Sequence, residues 1–300
     1  MNPLRQAMRE DLAAPAPLGL EPLLEALKRQ YGDHLLGVLL YGSCRRQDQL
    51  GDGLVDLLVL VSGYRDVHGT GPSALLNWLL PPNVYYLEAG PEHRRLRSKY
   101  AVITPAQFRR RCRNPIDLYF WARFSQPCRL VLAASPTLAE DLADARAAAA
   151  AFFSDRIVPL AAPATMADST AFWTLALATT YRCELRPEPP QAARRLVEAD
   201  PAFWSQLSAA LAIGSTRPPS SLKKAAARCG WLTRRISGKL FNLARLFKAA
   251  GTFSNGIDYI VWKVERHSGV RVETTERMRR YPRLAAWGLA WRMWREGGFR

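Results

Sequence analysis

The stretch Leu35–Val61, LLGVLLYGSCRRQDQLGDGLVDLLVLV, decides the fold of this 300-residue chain. Its first apolar run ends in Tyr41-Gly42-Ser43, a polar loop follows, and a second apolar run contains one carboxylate, Asp56. Continuous apolar runs of this length, bounded by glycine and polar residues, are typical of buried strands. The stretch therefore predicts two neighbouring strands, with a glycine-serine turn after the first and an acid on the second that faces this turn.

The turn and the acid together suit the binding of a nucleoside triphosphate with Mg²⁺. Glycine lets backbone N–H groups approach a phosphate closely, and carboxylates are ligands that Mg²⁺ accepts. A glycine-serine pair alone has low specificity because it occurs in most chains. Asp56 adds weight, since an acid is rarely buried without a partner. Its alternative role is an acid at a strand end that bonds to the backbone.

The composition predicts an anionic partner. The chain has 42 Lys and Arg against 26 Asp and Glu, a net charge of +16, which suits nucleic acid, a triphosphate or an anionic lipid surface. Its five cysteines form no C-x-x-C pair, which indicates reduced thiols in a cytosolic setting and no zinc framework. Because no apolar run has the length of a membrane span, we expect a soluble or peripheral protein.

The order of patterns predicts four segments. Residues 1–19 read as a loose leader. Short strands and helices alternate over residues 20–150, which predicts a mixed α/β domain. Residues 151–272 have helical patterns interrupted by prolines, which predicts an α-rich second domain. Residues 273–300 form a separate tail.

This tail has the pattern of a short amphipathic helix rich in tryptophan and arginine. Such a helix can lie in a membrane interface, with indole rings at headgroup depth and cations on phosphates. The alternative is a helix that packs its tryptophans on the body of the protein. The residues predicted to contact a membrane are Trp287, Trp291, Trp294, Arg292 and Arg295.

Short motifs with a consistent order and spacing extend from residue 35 to about residue 260. They are Tyr41-Gly42-Ser43, Leu54-Val55-Asp56, His68, Asn83-Val84-Tyr85-Tyr86, Lys99-Tyr100-Ala101-Val102-Ile103, Leu118-Tyr119 with Arg123 and Pro127, the group Tyr181, Glu184 and Arg186, and Leu246-Phe247-Lys248-Ala249. In these motifs the chain resembles the mitochondrial-type CTP:phosphatidate cytidylyltransferases, the translocator assembly and maintenance family, and their bacterial relatives. That family also has a single acid in its second apolar strand.

The resemblance implies a fold and a reaction. The fold would be a nucleotidyltransferase-like mixed sheet domain, followed by an α-rich domain that could be winged-helix-like and by the amphipathic helix. In the reaction, the phosphate of phosphatidic acid attacks the α-phosphorus of CTP, CDP-diacylglycerol forms and pyrophosphate leaves. A phosphate monoester is largely dianionic at neutral pH, so this nucleophile requires no general base.

The resemblance also implies roles for residues. The candidates for catalysis are Asp56, Lys99, Arg123, Glu184 and Arg186. The candidates for nucleotide binding are Tyr41, Gly42, Ser43, Lys99 and Tyr181, and those for holding Mg²⁺ are Asp56 and Glu184. Glu88 is a further candidate metal ligand from the strand pattern alone. Arg123 has the alternative role of packing on aromatic rings of its own helix.

The expected partners are CTP, phosphatidic acid and an anionic membrane surface, with no nucleic acid. The expected location is cytoplasmic, peripheral on the inner face of the plasma membrane rather than on a mitochondrial inner membrane. Two alternatives stay open. One is a nucleotidyltransferase that acts on RNA or a small molecule. The other is a basic binding module without catalysis, which the apolar neighbours Leu54 and Leu58 of Asp56 favour, because nucleotidyltransferases usually carry a second acid there.

Overall fold

The computed structural model describes residues 2–51, 53–91, 94–184, 191–215 and 219–252. Its centre is a five-stranded mixed sheet in the order β3-β4-β2-β1-β5. Only the β2–β4 pair is parallel, and the other neighbours are antiparallel. The strands are β1 Leu35–Tyr41, β2 Leu54–Val61, β3 Asn83–Ala89, β4 Leu96–Ile103 and β5 Arg129–Ala133. The prediction of a mixed α/β fold is confirmed.

Helices surround this sheet and make up the rest of the described regular structure apart from short 3-10 turns. Several begin with proline in the first turn, where its missing N–H group is not needed, and the side chains of Thr104 and Ser135 cap two of them. The helices are α1 Pro3–Ala13, α2 Glu21–Tyr31, α3 Tyr64–His68, α4 Pro72–Leu79, α5 Pro105–Arg111, α6 Tyr119–Phe124, α7 Pro136–Ile157, α8 Pro163–Ala167, α9 Ser169–Tyr181, α10 Ala192–Glu198, α11 Pro201–Ala210 and α12 Ser221–Thr252.

The sheet separates two apolar clusters because successive side chains of a strand point to opposite faces. On one face, residues such as Val38 and Val55 pack with Leu23 and Leu27 of α2. On the other face, residues such as Leu58 pack with α1 and α5–α7. Asp56 precedes Leu58 by two positions and therefore belongs to this second face.

The N-terminal segment is a packed helix. Leu4, Met8 and Leu12 of α1 are buried in the larger cluster. Asp11 forms ion pairs with Arg129 at 2.5 Å and with Arg146 of α7 at 2.7 Å. The prediction of a loose leader over residues 1–19 is therefore wrong for residues 3–13, because the apolar residues at helical spacing bury against α7.

The predicted boundary near residue 150 lies inside helix α7, which runs without interruption from Pro136 to Ile157. The cluster that contains Phe153 of this helix also contains Leu58 of β2 and Trp204 of α11. One continuous core thus joins the sheet to the helices that follow. From residue 151 onward, the described regular structure is helical.

Part of the predicted organisation lies outside the described residues. This holds for the whole tail over residues 273–300, including its tryptophans and arginines, and for Arg186. Among the helices that are described, none combines the length and the apolar composition that crossing a membrane requires.

Candidate functional site

A row of side chains crosses the sheet at the level of Asp56. In the strand register, Asp56 of β2 pairs with Tyr41 at the end of β1 and with Lys99 of β4, and Lys99 in turn pairs with Tyr86 of β3. Directly paired residues share a face of the sheet. The sheet therefore places a phenol, a carboxylate and an ammonium group side by side, although Lys99 lies 43 positions after Asp56 in the chain.

Gly42 brings the turn after β1 into direct contact with Asp56. Its backbone has φ +78° and ψ −166°, a conformation that is almost restricted to glycine. A Cβ atom at this position would lie 2.8 Å from Oδ2 of Asp56. The absence of a side chain at Gly42 therefore allows the backbone to pass next to the carboxylate.

A cavity of about 440 Å³ opens beside this turn. The sheet and the 3-10 turn contribute one wall, α6 contributes a second, and α9 with the helices that follow contributes a third. The ionisable side chains in the lining are the cations Arg45, Arg46 and Arg123 and the carboxylates Asp56, Glu184 and Asp200. The lining thus carries three cations and three carboxylates, so it offers groups both for phosphate oxygens and for a cation that accompanies them.

Arg123 is the central cation of the cavity. Its guanidinium carbon lies 4.7 Å from the ring centre of Tyr119 and 5.5 Å from that of Tyr41. Burial alone would lower the pKa of Arg123, but Tyr119, Tyr41 and Asp56 outweigh burial and raise this pKa above the usual arginine range. Arg123 therefore packs on aromatic rings, including that of Tyr119 in its own helix, and also lines the cavity.

Asp56 is a carboxylate in a site that disfavours its charge. Burial raises its pKa, while Arg123 and Lys99 act in the opposite direction without cancelling the effect of burial. Additional positive charge near this carboxylate would therefore stabilise its ionised form. This is the property expected of a carboxylate that binds a cation.

Arg45 and Arg46 connect the turn to the helical half of the molecule. Arg45 is buried and forms an ion pair with Asp200, which precedes α11, and Arg46 lies 3.4 Å from the same carboxylate. Sequence reasoning missed this contact. The two arginines follow Gly42-Ser43 after one intervening residue, Cys44, and this position could have suggested phosphate ligands. Nothing near Asp200 in the sequence indicates its partner.

Most of the predicted site residues come together. Tyr41, Gly42, Asp56, Arg123, Tyr181 and Glu184 all line the cavity. Lys99 neighbours Asp56 in the sheet and Ser43 is exposed at the start of the turn, and neither is among the lining residues. Arg186 lies outside the described residues.

Glu88 has a different environment. It forms ion pairs with Arg95 at 3.4 Å and Arg97 at 3.3 Å and accepts a hydrogen bond of 2.6 Å from the hydroxyl of Tyr86. It does not line the cavity. These contacts balance the negative charge of Glu88 without a metal ion, so the structure favours a structural role for Glu88.

The carboxylates of Asp56 and Glu184 could hold a divalent cation only together. In the described part of the chain, no group of three or more His, Cys, Asp and Glu side chains is arranged to hold a metal ion. Asp56 and Glu184 nevertheless face the same cavity. Mg²⁺ often uses one or two protein carboxylates and completes its shell with water and substrate phosphates, so this donor set is compatible with Mg²⁺ bound together with a nucleotide.

Comparison with known proteins identifies no family. No protein-family model matches the chain, and no curated protein matches its sequence.

Proposed function

We propose that the protein is a nucleotidyltransferase that transfers CMP from CTP to phosphatidic acid, releasing pyrophosphate and forming CDP-diacylglycerol. The observation that carries this proposal is the contact between the Gly42 turn and Asp56 at the edge of a cavity that contains Arg45 and Arg123. A glycine turn beside a carboxylate, with Arg45 on the same turn and Arg123 on helix α6, provides groups for a triphosphate and for the cation that accompanies it.

In this proposal, some residues of the site would position the nucleotide and others would neutralise the charge of its phosphates. The turn at Gly42 and Ser43 would position the triphosphate, and Tyr181 on the opposite wall would contact the nucleotide. Arg123 would neutralise phosphate oxygens, and its packing on Tyr41 and Tyr119 fixes where its charge lies. Lys99 would act on the same phosphates from the neighbouring strand, and Arg186 is a further candidate.

Asp56 and Glu184 would hold Mg²⁺, which when bound neutralises charge on the transferred and leaving phosphates. The attacking oxygen belongs to the phosphate of phosphatidic acid. Since this group is largely dianionic at neutral pH, the protein has no proton to remove from it. The contribution of the protein is then to orient the two phosphates and to stabilise charge at the α-phosphorus.

The finer features of the fold and location are part of the same proposal. The mixed sheet would be of the nucleotidyltransferase type, and the helices from residue 151 could be winged-helix-like. The enzyme would act in phospholipid biosynthesis as a cytoplasmic protein at the inner face of the plasma membrane.

The decisive assay uses the full chain with Mg²⁺, labelled CTP and phosphatidic acid in vesicles. The expected product is labelled CDP-diacylglycerol, with stoichiometric release of pyrophosphate. Labelling of RNA ends or of a small hydroxylated compound instead, with no lipid product, would establish the first alternative. Failure to bind any nucleotide would favour the binding module without catalysis.

A matched pair of variants tests the site itself. Asp56→Asn keeps the shape of the side chain and removes its charge, so turnover should fall by a factor of at least about 100 while the fold is kept. Asp33→Asn makes the same change on an exposed acid in the turn before β1 and should leave turnover unchanged. Equal activity in both variants would show that Asp56 is not part of the reaction.

A further inference from the structure

Helix α12 carries an apolar stripe that faces away from the protein. Leu232, Ile236, Leu240 and Leu243 recur at intervals of three and four residues and are between 45% and 60% exposed. Residues at this spacing lie on one side of a helix. We call these four residues the α12 stripe. Exposed apolar residues that occur singly are ordinary, whereas an ordered row of four large ones indicates an interaction surface.

The opposite side of α12 is firmly packed, which fixes the direction of the stripe. Trp231 is buried, and its indole nitrogen donates to the carbonyl of Arg156 at 2.9 Å. The Ser237 hydroxyl donates to the carbonyl of Ile116 at 2.9 Å, and Gly238 lies so close to Cys183 that a Cβ atom would be 2.6 Å from its carbonyl oxygen. The helix therefore cannot rotate to bury the stripe without losing these contacts.

The charges on α12 are of one sign. Residues 221–252 contain eight Lys and Arg and no Asp or Glu. Arg228, Arg235 and Lys239 are exposed, and at 100° per residue they fall along one edge of the stripe. A helix with an apolar face beside a purely cationic edge is the pattern of helices that lie on an anionic membrane surface.

A second exposed apolar group lies on helix α4, which precedes a loop that contacts α12. Leu75, Trp78 and Leu79 of α4 are each more than half exposed. The loop that follows α4 is held by α12, since Arg245 donates to the carbonyl of Pro81 at 3.2 Å and Lys248 donates to that of Pro82 at 2.6 Å. An apolar surface therefore also occurs next to the C-terminal part of α12.

We propose that the α12 stripe and its cationic edge dock the protein on an anionic lipid bilayer. A second copy of the chain is disfavoured, because two such helices would oppose like charges. Nucleic acid would match the cations but leave the large apolar side chains without a partner. A bilayer with anionic headgroups satisfies both features, since the apolar residues enter the boundary of the acyl chains while the cations meet phosphates.

The surface is also connected to the cavity. Two guanidinium groups contact the ring of Tyr119, that of Arg245 at 4.6 Å and that of Arg123 at 4.7 Å from the ring centre. Tyr119 and Arg123 line the cavity. Docking through α12 would thus place the cavity near the bilayer. In this respect the inference deepens the proposed function and rests on it only for the identity of the lipid substrate.

The test is sedimentation of the full chain with vesicles of phosphatidylcholine, with and without phosphatidylglycerol. The wild type should bind the anionic vesicles, and added salt should weaken binding. The double variant Ile236→Asp/Leu240→Asp should bind them at least about tenfold more weakly, because two exposed apolar side chains no longer enter the interface. Leu18→Asp places one such charge on another exposed leucine, at 68% exposure, and should bind as the wild type does.

Two further measurements make the result decisive. The double variant should keep the thermal midpoint of the wild type, because Ile236 and Leu240 are about 60% exposed in the described part of the chain. A lower midpoint would show that a segment of the chain covers the stripe, and a wild-type dimer that the variant dissociates would show that a second copy does. Either result, or unchanged vesicle binding, overturns the proposal.

Nucleotide binding separates this proposal from the proposed function. CTP binding measured by calorimetry without vesicles should be equal in the wild type and the double variant. If the wild type binds vesicles through the stripe but forms no CDP-diacylglycerol, the docking surface stands and the proposed function fails. If product forms on detergent-dispersed phosphatidic acid and the variant binds vesicles normally, the proposed function stands and the docking surface fails.

Discussion

Replacing Gly42 by alanine should damage both the stability of the protein and its site, for two reasons that can be measured separately. The first reason is backbone strain, since φ +78° with ψ −166° is a region almost closed to residues with a side chain. Holding alanine there costs about 1–3 kcal/mol of unfolding free energy. For a chain of this size, that corresponds to a fall in thermal midpoint of a few degrees.

The second reason is the contact with Asp56. The added methyl carbon would lie 2.8 Å from Oδ2, which is closer than a carbon and an oxygen can approach without contact strain. The carboxylate must therefore move. A displacement of about 1 Å in a group that positions reactants can cost about 100-fold in rate. We expect the turnover of Gly42→Ala to fall by about 10- to 100-fold beyond any loss through unfolding.

Two control variants separate these effects. Gly32 also has a positive φ, +52°, but an added Cβ atom would meet nothing within 4 Å, so Gly32→Ala should show strain alone. Gly51 has neither feature, so Gly51→Ala should change neither stability nor turnover. Thermal melts and initial rates of all three variants are compared. Normal turnover in Gly42→Ala, with the same loss of stability as in Gly32→Ala, would refute the role given to the contact with Asp56.

Three further predictions concern buried charges. Asp56→Asn should raise the thermal midpoint at neutral pH, because burial raises the pKa of Asp56 and its ionised form costs stability above the unfolded-state pKa. The gain over the wild type should vanish in acid, where the side chains of the wild type and the variant are both neutral. Arg146→Met should lower the unfolding free energy by about 3–5 kcal/mol in denaturant titration, since Arg146 is fully buried and bonds to Asp11 and three carbonyls. Arg194→Met, which removes an exposed ion pair, should have no effect. Burial lowers the pKa of Lys248 to about 7. The free energy of unfolding should therefore rise with pH from about 7 towards the ordinary lysine range, because the unfolded chain binds this proton more tightly. Lys248→Met should remove this slope from the pH profile of the melts.

The strands of the sheet were predictable because their signal is local. The apolar runs at Leu35–Tyr41 and Leu54–Val61 are strands in the structure with those bounds. Strand β4 begins at Leu96, four residues before the apolar run that starts at Tyr100, because polar residues such as Arg97 and Lys99 obscure the start of an amphipathic strand. Helix α1 had a local signal too. Asn2 before Pro3 is a helix start, and Leu4, Met8 and Leu12 have helical spacing, so the local pattern favours a helix over the predicted loose leader.

The sequence by itself identified several residues that line the cavity, and the tertiary structure decided how they meet and added Arg45, Arg46 and Asp200. The Gly42 turn and the acid of Asp56 were visible because each interrupts an apolar run. The pairing of Asp56 with Lys99 follows from a parallel register, and the contact of Arg45 with Asp200 joins residues 155 positions apart. Such contacts leave no local pattern, because they depend on how strands align and how helices pack on the sheet. The α12 stripe depends on both the sequence and the tertiary structure. Its spacing is in the sequence, but its exposure depends on which side of the helix the rest of the protein covers.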